Sequence, residues 1–151
     1  MYFEEIEKDR EIDLGQTLIE KKEMLAFANA YDPSPIHTDE EFAKQSRFGE
    51  LLAPGTLSFI VNWAKWIRTG IMGEELLAGT SCLMEWLNPV FDGDILTGIA
   101  IVTDKKINNK YNGTITVIIK AFNQDGVQVV NSVSKAVIKR KPVPQEEQAR
   151  P

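Results

Sequence analysis

The 151 residues, 43% apolar and 26% charged, are enough for one domain with a real core and give no compositional sign of disorder away from the ends. A formal charge of -5 excludes the strongly basic surface that nucleic acid or an anionic membrane would need, so a small-molecule partner is expected. A lone cysteine, Cys82, excludes an internal disulfide, and one cysteine with one histidine leaves too few soft ligands for a zinc site, so no metal is expected.

Residues 1–13 are charge-rich and weakly patterned and read as an arm or edge segment, with an acidic start unlike a signal peptide. No apolar run reaches the roughly 18 residues of a membrane span, and a cytoplasmic protein is expected. Leu14 to Glu20 reads as a short strand. From Lys21 to Tyr31 the period becomes helical, with Met24, Leu25, Ala28 and Tyr31 on one face. Asp32-Pro33-Ser34-Pro35 stops that helix, because a residue before proline leaves the helical region and proline donates no backbone hydrogen bond. Thr38 and Glu41 form a capping box for a short helix over Asp39 to Gln45, which puts His37 just before its start.

Gly55 to Arg68 is the strongest helix: Leu57, Phe59, Ile60, Val61, Trp63, Ala64, Trp66 and Ile67 cover most of its circumference, leaving Ser58, Asn62 and Lys65 as a narrow polar stripe. A helix that apolar has to be wrapped by other structure, with Trp63 and Trp66 in the core. After Gly79 the period is two: strands over Thr80 to Leu87, Asp94 to Thr103, Thr114 to Asn123 and Val127 to Lys139 are separated by turns at Asn88-Pro89, Asp92-Gly93, Asn112-Gly113 and Asp125-Gly126. The alternation places Cys82 in the core. Residues 142–151 read as a flexible polar tail behind a single domain of residues 1–141. Helices followed by consecutive hairpins give an α+β fold, an antiparallel sheet covering one buried helix.

The chemistry concentrates between Phe27 and Thr56. Asp32 and His37 stand at the two ends of one Pro-stiffened loop, which lets a carboxylate and an imidazole converge for proton transfer. Read singly, Asp32 is an ordinary turn residue before proline and His37 merely precedes a helix; the pairing is what points to catalysis. Pro54-Gly55 opens the apolar helix, so the Gly55 amide is a free donor at the positive end of the helix dipole and can hold charge developing on a carbonyl oxygen.

The run Tyr31-Asp32-Pro33-Ser34-Pro35-Ile36-His37 resembles the D-x-N-P-x-H signature of the MaoC-like dehydratases and (R)-specific enoyl-CoA hydratases. Leu52-Ala53-Pro54-Gly55 is similar to the segment opening their central helix, and Pro89-Val90-Phe91-Asp92-Gly93-Asp94 to their P-V-x-x-G-D turn. Ser34 stands where the signature has Asn, and Pro54 where many members have His. The resemblance implies a hotdog fold, the helix from Gly55 being the sausage, and a homodimer or higher oligomer with an acyl thioester near the interface. It implies reversible addition of water across the 2,3 double bond of an enoyl thioester of coenzyme A or acyl carrier protein, with no further cofactor. Asp32 and His37 would be the catalytic pair, the Gly55 amide would polarise the thioester carbonyl, and Ser34, Pro54 and Thr56 would contact substrate. Arg47, Lys65 and Arg68 are candidates for phosphate contacts by nearness. A hotdog thioesterase and a non-catalytic acyl-thioester-binding subunit are the competing readings.

Overall fold

The structure, a computed structural model, describes residues 1–143, so the expected tail lies outside the described residues from 144 onward. Five strands, β1 (Glu11–Leu18), β2 (Leu76–Trp86), β3 (Ile95–Ile107), β4 (Asn112–Phe122) and β5 (Gln128–Lys139), form one antiparallel sheet in the order β1-β3-β4-β5-β2. Four helices lie between β1 and β2: α1 (Lys21–Tyr31), α2 (Pro35–Thr38), α3 (Glu40–Gln45) and α4 (Gly55–Arg68). The expected α+β hotdog arrangement is present, with α4 packed against β1, β3, β4 and β5.

Alternation does what a period of two requires. Along β4, Gly113, Ile115, Val117, Ile119 and Ala121 are buried against the helical layer, and their neighbours are only half-covered. Trp66 and Met72 meet Ala100, Val102, Ile115 and Ile138 around the C-terminal half of α4, whereas Leu57 and Phe59 pack with Ile19, Met24 and Val130 around its N-terminal half. Gly98 on β3 lets helix and sheet approach closely: a Cβ there would lie 2.2 Å from Asn62 Oδ1.

Several expectations are corrected. The first strand begins at Glu11, not Leu14, and ends at Leu18. The arm before it is core, because Phe3 and Ile6 are buried and the Phe3 ring fills the space beside Gly113. His37 lies inside the helical turn α2, and the cap of α3 is Asp39, whose Oδ1 accepts from the Phe42 amide at 3.0 Å, not Thr38. The hairpins are not all consecutive: β2 pairs with β5 and never with β3, so the chain crosses the sheet between them. As an edge strand with little packed over it, β2 leaves Cys82 exposed instead of in the core.

On α4 the polar stripe is buried along with much of the apolar surface, Leu57, Phe59 and Trp66 included. Ser58 and Asn62 are buried at 1% and 0% exposure, while Ile60 and Ile67 are exposed at 41% and 42%. Only Lys65 of the stripe escapes, its ammonium donating to the Gln16 carbonyl. No helix among the described residues is long and apolar enough to cross a membrane.

Candidate active site

Asp32 closes α1, its amide donating to the Ala28 carbonyl at 2.9 Å, and the two prolines that follow turn the chain at once into α2. His37 therefore returns over Asp32: His37 Nε2 lies 3.4 Å from Asp32 Oδ2. Each member of the pair has its second polar atom tied down. His37 Nδ1 is 2.6 Å from the Leu52 carbonyl oxygen, and because a carbonyl only accepts, Nδ1 carries the hydrogen and Nε2 of the neutral ring presents its lone pair. Ser34 Oγ donates to Asp32 Oδ1 at 2.9 Å, which leaves Oδ2 directed at the histidine.

The segment carrying Leu52 joins the parts. Its amide donates to the Ile36 carbonyl, Leu52 bridges to Phe91, and the Ala53 amide donates to the Val90 carbonyl at 2.8 Å. These bonds hold α2 against the 88–94 turn and deliver the chain into Pro54 and α4. Gly55 and Thr56 occupy the first turn of α4, where amides have no intrahelical partner. Gly55 is required by packing: a Cβ there would lie 2.3 Å from Trp86 Nε1 and 2.5 Å from two ring carbons. The Trp86 indole, 53% exposed at the end of β2, thus lies directly on the helix start.

Asp32, His37, Gly55, Thr56, Ser58 and Trp86 line one cavity of about 390 Å3, open to solvent. His37 is buried, at 8% exposure. Ser34 and Pro54 do not line the cavity; Ser34 acts on it through Asp32, and Pro54 through the helix start. Arg47 stands at the rim with its guanidinium 4.7 Å from the centre of the Phe48 ring. Lys65 and Arg68 lie toward the other end of α4, a 14-residue helix about 20 Å long, and do not reach the cavity.

Among the lining residues not named as site candidates from the sequence are Trp86 and Ser58. Trp86 is an aromatic residue at a strand end, whose position over Gly55 depends on β2 lying beside β5. Ser58 belongs to the narrow polar stripe of α4, and its Oγ is buried with no hydrogen-bond partner among the described residues. Leaving such a group unsatisfied costs about 1–3 kcal/mol.

The MaoC like domain family matches residues 4–122. A Bacillus subtilis relative, uncharacterized protein YdeM, is 32% identical over 123 residues, 81% of this chain and 87% of its own. The crystal structure of a MaoC-like dehydratase from Rhodospirillum rubrum superposes with a TM-score of 0.84 at 27% identity, covering 95% of this chain and 99% of that one. An (R)-hydratase from A. caviae involved in PHA biosynthesis superposes at 0.69 with 25% identity, covering 91% and 98%. With the sheet wrapped on α4 and the family match running from the arm to the end of β4, the chain belongs to the MaoC-like dehydratase family and has its hotdog fold.

Proposed function

We propose that the protein is an enoyl-thioester hydratase, equally a (R)-3-hydroxyacyl-thioester dehydratase, acting on acyl groups carried by coenzyme A or acyl carrier protein. The observation that carries this reading is the convergence of Asp32 Oδ2 and the His37 Nε2 lone pair, 3.4 Å apart, on a cavity that also receives the start of α4. Two acceptors that close can share the two hydrogens of one water molecule. With the thioester oxygen at the Gly55 amide, the water oxygen bonds to C3 as one of its protons passes to the pair. The π electrons move onto the thioester oxygen, whose growing charge the amide and the helix dipole stabilise. Collapse of that enolate with a proton from the pair at C2 completes the addition, and dehydration runs the same steps backwards. Arg47 at the rim is the cation suited to a phosphate of the carrier.

A symmetric homodimer belongs to the same reading. The free edge of β2 is long and carries exposed Leu77, Leu83 and Trp86, and sheets rarely leave such an edge unpaired. Light scattering of an active monomer at micromolar concentration would remove it.

The deciding assay follows the loss of conjugated absorbance of crotonyl-coenzyme A and longer enoyl thioesters, beside a free-thiol assay. Loss of absorbance without thiol release supports the hydratase; thiol release makes the protein a thioesterase, and neither signal with measurable binding makes it a non-catalytic carrier subunit.

A further inference from the structure

We infer that Ser58 is a second hydrogen-bond donor to the thioester oxygen, acting with the Gly55 amide. Ser58 stands three residues after Gly55 on α4, so the two share a helix face, and because helical side chains lean toward the N-terminus its hydroxyl covers the turn that Gly55 begins. A serine within a helix ordinarily turns its hydroxyl back to the carbonyl four residues earlier. Here that carbonyl, of Pro54, already accepts from the Leu57 and Ser58 amides at 3.0 and 3.3 Å, and the hydroxyl takes no other protein partner among the described residues. The side chain is 1% exposed and lines the cavity. A fully buried hydroxyl left without a partner beside a helix start is a group whose partner arrives with the ligand. An acyl tail offers it nothing; the carbonyl oxygen at the Gly55 amide offers an acceptor that gains charge during the reaction.

The inference rests on the hydratase reading, and the test separates the two. Wild-type protein that hydrates no enoyl thioester overturns the reading itself. Where wild type is active, Ser58→Ala should keep or raise the melting temperature, since an unsatisfied polar group is removed, and should lower kcat by about 10- to 100-fold with little change in KM, as expected for a donor that tightens in the transition state. A purely structural serine would not move a second readout: the red shift of a bound enoyl thioester in Asp32→Asn protein, which reports carbonyl polarisation, should shrink in the Asp32→Asn, Ser58→Ala double variant. If Ser58→Ala melts well below wild type, Ser58→Cys, similar in volume and a weaker donor, replaces it in both measurements. A kcat fall smaller than about fivefold with an unchanged red shift overturns the assignment of Ser58 while leaving the hydratase reading standing.

Discussion

Replacing Gly55 separates the packing demand for a glycine at the start of α4 from the role of its backbone amide. In Gly55→Ala the new Cβ would stand 2.3 Å from Trp86 Nε1, against about 3.5–4.0 Å for an ordinary contact, so something has to move by more than about 1 Å. Overpacking costs about 1–3 kcal/mol in closed cores. The indole is 53% exposed and can swing outward, which puts the cost near 1 kcal/mol, a fall of about 2–4 °C in Tm for a chain of this size. With Trp86→Ala the collision partner is gone, and Gly55→Ala should become neutral, a coupling of about 1 kcal/mol in a double-mutant cycle. That background also isolates the amide. Pro54 already has φ -53° and ψ 132°, the extended geometry that a residue before proline needs, and proline is tolerated in a helix's first position. Trp86→Ala, Gly55→Pro should therefore fold like Trp86→Ala, Gly55→Ala but lose about 10²- to 10³-fold in kcat, since only the proline lacks the N-H. Equal melting effects of Gly55→Ala with and without Trp86 would refute the packing argument. Equal kcat for the alanine and proline variants would refute the amide's role.

Asp32→Asn and His37→Gln should each lower hydration by about 10²- to 10⁴-fold without loss of stability, and the double variant should lose little more than the worse single one if the pair acts as a unit; near-normal turnover by both would end the assignment. Phe3→Ala should destabilise by about 3 kcal/mol in a denaturant titration, because the ring is 5% exposed and belongs to the core beside Gly113. The arm is also clamped by charge. Burial opposes ionisation of Glu4, but the Lys141 amide at 3.0 Å and the Arg140 guanidinium at 2.7 Å outweigh it and bring its pKa from 4.5 down to about 2. A carboxyl depressed in the folded state contributes stability that is fully present above pH 4.5 and is lost as pH falls toward 2. Glu4→Gln should accordingly be less stable than wild type at pH 7, with the difference closing across that acid window; a difference in urea midpoint that stays constant from neutral pH down through the window would show that ionisation of Glu4 contributes nothing.

What the sequence alone determined is what depends on neighbours along the chain. Prolines at 33 and 35 stop α1 and swing the backbone round, which is why Asp32 and His37 could be paired before any fold was known. The period-two segments and their turns marked the strands, and Pro54-Gly55 marked the start of α4. Ser34, which stands where the signature has Asn, reaches Asp32 with its hydroxyl, a contact two residues away that a short side chain can make. What only the tertiary structure decided is what depends on which element lies beside which. Strand order is a choice among long-range pairings, and placing β2 at the edge beside β5 exposed Cys82 and laid Trp86 on Gly55. Helical periodicity shows that Ser58 and Asn62 share a face but not which way that face turns. The close approach of α4 to Gly98 and the cavity at its N-terminus turn it inward, beside the buried Leu57, Phe59 and Trp66.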